Sequence, residues 1–98
     1  MARVRWSVYV LASEAATRTY VGIACDVEAR LRQHNGEAKG GAKSTRGFRP
    51  WRVAGVFGPY LSRGKAQRIE AAIKRLRGDA RLDLDGLRST VRRAARPR

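Results

Sequence analysis

Two tyrosines, an arginine and a histidine lie at short intervals in the first third of the chain. Tyr20 follows Tyr9 by eleven residues, and Arg30 and His34 follow Tyr20 by ten and fourteen. A tyrosine hydroxyl can hold a water for attack if nearby cations lower its pKa, and an arginine can clamp a phosphate oxygen. A strand tyrosine is more often a packed aromatic, so neither tyrosine alone indicates catalysis.

Glu70 is the only acid between Glu37 and Asp79, in a strongly basic part of the chain. On a helical wheel it borders the apolar stripe of a predicted helix. Lys74 lies four residues on, so an ion pair within the helix explains Glu70 without any function. The alternative is a metal ligand, since Mg²⁺ often binds through one or two carboxylates together with waters and substrate phosphate.

The spacing of apolar residues predicts the elements that must position these side chains. Strands are expected over residues 6–11, 19–23 and 51–57, a loop over 37–50, and helices over 27–35, from 62 or 63 to 77, and from 83 or 85 onward. Asp26 is a candidate N-cap, Gly36 and Gly78 are helix stops, and Gly58-Pro59 marks a strand end. The order β-β-α-β-α-α predicts an α+β fold, a small antiparallel three-stranded sheet flanked by helices.

Each predicted element has a side expected to be buried. In the first strand Trp6, Val8 and Val10 share one face, and Ser7, Tyr9 and Leu11 share the other. The apolar stripes of the second and third helices consist of Ala66, Ile69, Ile73 and Leu76, and of Leu84, Leu87 and Val91. The Asp83 and Asp85 carboxylates are expected to cap the third helix.

The first helix combines apolar and polar residues on one face. Val27, Arg30, Leu31 and His34 all fall there, so Arg30 and His34 lie on or beside a surface that is otherwise buried. In the simplest interpretation Arg30 extends to solvent and His34 packs with a satisfied hydrogen bond. A functional interpretation requires an anionic ligand beside this face.

The charge of the chain indicates a polyanionic partner. Twenty-two Lys and Arg residues against eight Asp and Glu give a net charge of +14 over 98 residues. Nucleic acid is the first candidate, because Lys and Arg release the counterions of phosphates. A basic structural protein of a nucleoprotein particle fits the charge equally well. The candidate contact residues are Lys39, Lys43, Arg46 and Arg49 of the glycine-rich loop, and the arginines of residues 88–98.

Cysteine content and hydropathy limit the cellular location that is expected for the protein. Cys25 is the only cysteine, so an intramolecular disulfide and a cysteine-based zinc site are excluded, and a reducing, intracellular location is expected. No stretch approaches the ~18 apolar residues of a membrane span, so no membrane association is expected.

The spacing of the tyrosines resembles the paired motifs of the GIY-YIG nuclease superfamily. Residues 8–10 (Val-Tyr-Val) and 20–22 (Tyr-Val-Gly) stand where the two motifs stand, although Ser7 replaces the first glycine and Ile23 replaces a lysine of some relatives. The loop resembles a subgroup containing the nuclease subunit of structure-selective endonucleases and small stand-alone bacterial members. The likeness divides the chain into a nuclease domain, 1–78, and a C-terminal helix with an arginine-rich tail, 79–98.

The resemblance implies a role for each candidate residue. It implies a catalytic function for Tyr9, Tyr20, Arg30 and His34, a divalent metal, Mg or Mn, on Glu70, and hydrolysis of phosphodiester bonds in nucleic acid. DNA and structural rather than sequence selectivity are favoured, and a larger protein partner is implied for the subgroup. The alternatives left open are RNA as the substrate, an inactive nucleic-acid-binding module, and a basic structural nucleoprotein component.

Overall fold

The computed structural model describes residues 4–96, which form three strands and three α-helices in the predicted order. The strands are β1 (Trp6–Ser13), β2 (Thr19–Ala24) and β3 (Trp51–Tyr60). The helices are α1 (Val27–His34), α2 (Arg63–Lys74) and α3 (Leu84–Ala95). Two 3₁₀ helices, Lys43–Phe48 and Gly78–Leu82, lie in the connections. The α+β class is confirmed.

Strand β1 is the middle of an antiparallel sheet of order β2-β1-β3, and its two faces enter two separate cores. Val8 and Val10 face α2 and α3, in a cluster that holds Ile69, Ile73 and Leu87. Because strand side chains alternate, the residues between them point the other way. That second cluster consists of Tyr9, Leu11, Ala24 and Trp51, with Val27 and Leu31 of α1 packed against it. The predicted division of the two faces is confirmed.

Two helix caps and one glycine confirm the predicted starts of α1 and α2 and the predicted stop of α1. The Asp26 carboxylate accepts a hydrogen bond from the Ala29 backbone N–H at 3.0 Å, which satisfies a free donor in the first turn of α1. Gly36 follows α1 with a φ of 79°, a left-handed conformation that a side chain would oppose. Ser62 caps α2 in the same way, by accepting from the Lys65 N–H.

The predicted end of the third strand is wrong. Strand β3 continues past Gly58 and Pro59, and Tyr60 pairs with Trp6. A register shift between Trp6 and Val8 places one extra β3 residue opposite this part of β1. Such a bulge lets a strand continue through a glycine–proline pair that would otherwise end it.

Other predicted boundaries also need correction. Helix α2 ends at Lys74, three residues before the predicted end, because Arg75 forms its C-cap. Leu87 and Val91 are buried as predicted, but Leu84 is 44% exposed, because it begins α3 at the rim of the core. Asp83 occupies the N-cap position of α3, yet its side chain makes no capping hydrogen bond.

The predicted loop over residues 37–50 contains a 3₁₀ helix, which makes one of its residues part of the core. Thr45 is fully buried there, and the Trp51 indole N–H donates to its carbonyl at 2.8 Å. The hydrogen bonds of the Thr45 hydroxyl and carbonyl could not be predicted from the glycine-rich, basic composition of this segment.

Helix α3 packs on α2 and shares its core through Leu87 and Val91, so residues 79–96 lie directly against the first 78. The division of the chain at residue 78 stays a prediction. Within residues 4–96 no helix is both long and apolar enough to cross a membrane.

Candidate active site

Three aromatic rings meet between β1, β2 and α1. The Tyr20 and His34 ring centres are 4.6 Å apart, those of Tyr9 and His34 6.0 Å, and those of the two tyrosines 6.2 Å. Tyr9 and His34 are buried, whereas Tyr20, on the outer strand β2, is half-buried. Of the three, Tyr20 therefore offers its hydroxyl side to a ligand from solvent.

A chain of hydrogen bonds joins this cluster to the 3₁₀ helix. The Tyr9 hydroxyl lies 2.9 Å from Nε2 of His34, and the Thr45 hydroxyl lies 3.0 Å from its Nδ1. The Thr45 hydroxyl also donates to the Ala42 carbonyl at 2.8 Å. In residues 4–96 every fully buried side-chain nitrogen and oxygen has a partner. The polar cluster is therefore fully satisfied, as a buried network must be.

Burial keeps His34 neutral. Desolvation, with a smaller contribution from the charges of Arg30 and Arg49, lowers the pKa of His34 to about 4. Burial disfavours the imidazolium, and two neighbouring cations repel it. At neutral pH one ring nitrogen therefore carries hydrogen and the other accepts.

The expectation that nearby cations lower a catalytic tyrosine's pKa is wrong for Tyr9. The pKa of Tyr9 is raised to about 12, mainly by burial and less by the charges of Tyr20 and Glu70, while Arg30 opposes the rise. Desolvation of a phenolate in the core outweighs the attraction of one guanidinium. Tyr9 is therefore a neutral hydroxyl that makes hydrogen bonds, and it is not a phenolate base.

The glycine of the second motif makes room for Tyr9. Gly22 pairs with Tyr9 across the two strands. A Cβ at position 22 would lie 2.5 Å from the Tyr9 hydroxyl oxygen and 2.7 Å from Cζ, which is closer than real contacts allow. Any side chain at this position would move the hydroxyl away from His34.

Arg30 presents its guanidinium beside the cluster. One terminal nitrogen, Nη1, donates to Oε1 of Gln33 at 2.6 Å and to the Gly40 carbonyl at 2.5 Å. No carboxylate forms an ion pair with it within residues 4–96. The other nitrogens therefore keep N–H donors with which a phosphate oxygen could be bound.

Glu70 belongs to the helix that covers the Val8 and Val10 face of the sheet, opposite to the face of Tyr9. It lies on α2, which packs on β1 and β2, and its charge contributes to the raised pKa of Tyr9. Its side chain is 20% exposed, and the Lys74 ammonium lies 3.5 Å away. The predicted ion pair is thus present, while the carboxylate remains open to solvent.

The donor set at Glu70 suits a weakly held hard cation. Within the described part of the chain no group of three or more His, Cys, Asp or Glu residues could enclose a metal ion. A single partly exposed carboxylate matches the way Mg²⁺ binds, with waters and substrate phosphate completing its shell. The Lys74 ammonium would have to turn away when the cation binds.

A basic cleft of 470 Å³ opens beside Arg30. Its lining includes Gln33, Lys39, Gly40, Arg46 and Arg49. Because Arg30 donates to both Gln33 and Gly40, its guanidinium borders this cleft. Arg49 is also a structural residue, since its Nε donates to the His34 carbonyl at 2.6 Å. Lys43 begins the 3₁₀ helix and is exposed, but it lies outside the cleft lining.

The family follows from a match over most of the chain. Residues 5–83 match the GIY-YIG catalytic domain. This chain belongs to the GIY-YIG family.

Proteins similar to this chain include several structure-specific endonuclease subunits named slx1. That of Schizosaccharomyces japonicus is 58% identical over 48 residues, 47% of this chain and 18% of the relative. That of Cryptococcus neoformans var. neoformans is 41% identical over 70 residues, 68% of this chain and 14% of the relative. That of Candida dubliniensis is 34% identical over 96 residues, 88% of this chain and 34% of the relative. The chain spans about a third or less of the length of these relatives.

Two polar residues in and beside this candidate site were missed by sequence reasoning. Thr45 binds the imidazole of His34, and the Asn35 amide binds both the N–H and the carbonyl of Trp51, at 2.6 and 3.0 Å. Asn35 follows the last residue of α1, where an amide able to bind a neighbouring strand is a recognisable signal. Thr45 had no signal, because its burial depends on a turn that composition does not reveal.

Proposed function

We propose that this chain is a nuclease domain that hydrolyses phosphodiester bonds in nucleic acid, with a divalent metal ion, Mg²⁺ or Mn²⁺, held at Glu70. The observation that carries the proposal is the cluster of Tyr9, Tyr20 and His34 with Arg30 beside a basic cleft, close enough to Glu70 for its charge to act on Tyr9. Membership of the GIY-YIG family supports it. The three relatives are named structure-specific endonuclease subunits, which supports DNA, structural selectivity and a larger protein partner.

Tyr20 is the residue best placed to hold the attacking water. It is the half-buried phenol of the three-ring cluster, so substrate can reach it, while Tyr9 and His34 are covered. The water oxygen forms the new bond to phosphorus while its proton passes to the Tyr20 oxygen, and the Tyr20 hydroxyl proton passes to solvent. Tyr9 and His34 hold the Tyr20 ring in place.

Arg30 and Glu70 act on the phosphate. The free donors of Arg30 bind a non-bridging oxygen, and they stabilise the charge that grows there as the bond to the leaving oxygen breaks. A divalent cation would neutralise charge on the leaving oxygen when bound at Glu70. The leaving oxygen takes its proton from solvent, which balances the proton released at Tyr20.

The basic cleft supplies binding that does not depend on sequence. Lys39, Arg46 and Arg49 contact phosphates there, and Lys43 extends the surface from the start of the 3₁₀ helix. Contacts of this kind fix the position of the nucleic acid without distinguishing bases. This agrees with structural selectivity, since a small surface offers little room to read base edges. Cys25 is a free, exposed thiol, as a reducing intracellular setting would allow.

One observation favours a second candidate, a GIY-YIG module that binds nucleic acid without cutting it. The Lys74 ammonium lies 3.5 Å from Glu70, so an ion pair within α2 accounts for this glutamate without a metal. A binding module, however, has no need of a half-exposed tyrosine and an arginine with free donors at one place.

Cleavage of labelled branched, single-stranded and duplex DNA, with Mg²⁺, Mn²⁺ or EDTA, tests the proposal. We expect metal-dependent cuts near the branch and none in EDTA. Tyr20→Phe removes one hydroxyl and should lower kcat by about 10²-fold or more. Arg30→Ala should do the same, whereas Arg32→Ala, an exposed change on the same helix, should cut like the wild type. Binding without cleavage in any metal would favour the second candidate.

A further inference from the structure

The groove between α2 and α3 is a second basic surface, separate from the cleft beside Arg30. Two depressions of 390 and 360 Å³ lie between the two helices, a third of 290 Å³ lies beside them on α3, and all three share Arg93 in their linings. Arg75 and Arg96 each line two of them, and alanines also line the two larger depressions. No acidic residue lines any of the three.

The positive charges of this groove are available to a ligand. Within residues 4–96 the ion pairs are Lys74 with Glu70 and Arg88 with Asp85, so none neutralises Arg75, Arg93 or Arg96. Arg68, at one end, donates through Nε to the Ala94 carbonyl at 3.1 Å and ties the two helices together. Small side chains beside arginines that have no ion pair leave room for a phosphodiester backbone to reach the guanidinium groups.

The two basic surfaces lie on opposite faces of the sheet. The first cleft is lined by α1 and the loop that follows it, on the side of Tyr9 and Leu11. The groove lies on α2 and α3, whose apolar sides cover Val8 and Val10. Tyr20 lies between them, on β2, which α1 and α2 contact from opposite sides.

We propose that the α2–α3 groove binds the backbone of a second duplex arm of a branched nucleic acid. A duplex is stiff over roughly 150 base pairs, so one straight helix cannot contact both faces of so small a domain. Two arms that diverge at a branch can do so, with the branch at the β2 edge beside Tyr20. The proposal rests on the proposed function for its substrate, but its test measures binding and does not require cleavage.

Charge reversal in the groove tests this proposal. Arg75→Glu with Arg93→Glu is compared with a control of equal charge change, Arg5→Glu with Arg52→Glu, at exposed positions outside both surfaces. The probes are a two-arm junction and a short linear duplex. We expect the groove variant to lose about tenfold or more in affinity for the junction. Its log–log salt slope should fall by about 1.8 relative to the control, at about 0.9 per phosphate contact.

The linear duplex is the probe that distinguishes the groove from the first cleft. It can occupy the first cleft alone, so both variants should bind it equally. An equal loss on junction and duplex, or no loss on the junction, would overturn the proposal. If the wild type binds both probes but never cuts, the proposed nuclease activity fails while the binding comparison still decides the role of the groove.

An independent observation concerns the direction of the hydrogen bonds at His34. An oxygen–oxygen contact of 2.8 Å between Thr45 and the Ala42 carbonyl needs a hydrogen, and only the hydroxyl has one. The Thr45 oxygen must then accept from Nδ1 of His34. Because the ring is neutral, Nε2 is left as an acceptor, and the Tyr9 hydroxyl donates to it.

We infer that Thr45 is a positioning residue that sets the tautomer of His34. With hydrogen on Nδ1, the imidazole binds Thr45 and Tyr9 at once and is held against the Tyr20 ring. With hydrogen on Nε2, the ring would donate to Tyr9, whose own hydrogen would then have no partner in this network. Thr45 thus acts on Tyr20 only through His34.

The tautomer can be measured directly, because His34 is the only histidine in the chain. Long-range ¹H–¹⁵N NMR of the full chain should show hydrogen on Nδ1 in the wild type and in Thr45→Ser. Thr45→Val removes the acceptor and should mix the tautomers. With substrate, Thr45→Val should lower kcat by roughly ten- to a hundredfold at unchanged KM, as small misplacements do, and Thr45→Ser should restore it.

Hydrogen on Nε2 in the wild type would overturn the inference, even if Thr45→Val fails to fold. An unchanged tautomer in a folded Thr45→Val would overturn it as well. Since the spectra need no substrate, this result is independent of whether the protein cuts nucleic acid.

Discussion

The two faces of strand β1 carry different kinds of core. One face holds Val8 and Val10 against aliphatic residues of α2 and α3. On the other face the Tyr9 hydroxyl is hydrogen-bonded to the buried His34, and His34 is hydrogen-bonded in turn to the buried Thr45. Apolar packing is non-directional, but a polar network works only if every partner is in place. The aliphatic face therefore stabilises the fold, whereas the polar face positions chemical groups.

Glu70→Gln is expected to have the largest effect, and it should act on activity alone. The change keeps size and removes the charge that would bind the cation, so cleavage should fall by about 10³-fold or more. Stability should hardly change, because a partly exposed ion pair within one helix contributes only about 0.3–0.5 kcal/mol. Cleavage rates in Mg²⁺ with thermal melting check both, and Glu28→Gln, an exposed glutamate on α1, is the control. Cleavage by Glu70→Gln at the wild-type rate in Mg²⁺ would contradict the metal-site proposal.

Ile69→Ala, one residue earlier on α2, should show the opposite pattern. Ile69 is fully buried in the aliphatic core, so truncation leaves a cavity and should lower the free energy of unfolding by about 2–5 kcal/mol. Urea unfolding measures the loss, and cleavage assayed well below the new melting temperature should stay near the wild-type rate. A large loss of activity in a folded Ile69→Ala would show that the two faces are not separable.

The polar face should make stability depend on pH below neutrality. The pKa of His34 is lowered to about 4 in the folded chain, beside Tyr9, Tyr20, Arg30 and Arg49. An unfolded histidine titrates near 6.5, so below that pH the unfolded state binds more protons and stability falls until about pH 4. Complete titration would remove about 3 kcal/mol, at 1.36 kcal/mol per pKa unit.

Urea unfolding between pH 7.5 and 5 measures this slope, above the range in which ordinary carboxylates titrate. His34→Gln cannot gain the proton and should give a nearly flat profile over the same range. Equal slopes in both proteins would show that His34 is not the titrating group.

Lys39→Ala with Arg46→Ala should have the smallest effect on the protein itself. Both side chains are exposed and line the basic cleft, so the melting temperature should stay unchanged. Binding of duplex DNA should weaken evenly across sequences, with the log–log salt slope lower by about 1.8. Fluorescence anisotropy at several salt concentrations measures this. An unaltered slope would remove the cleft from the contact surface.

The periodicity of the sequence predicted most of the fold, for reasons visible at single residues. The alternation around Val8, Tyr9 and Val10 predicted two buried faces, and Asp26 and Gly36 predicted the ends of α1. The errors came where distant contacts override local pattern. Gly58 and Pro59 lie inside β3 because Tyr60 pairs with Trp6, and no local signal reports that pairing.

Residue types and their spacing by themselves determined the family resemblance, the α+β order and the list of candidate side chains. Spacing along one element decides which residues share its face, and charge decides the class of partner. Only the tertiary structure decided the states of those side chains. Burial reversed the expected direction of the Tyr9 pKa, and a 3₁₀ turn brought Thr45 to His34. Desolvation and hydrogen-bond direction depend on what lies nearby in space, and such neighbours are not encoded in local sequence.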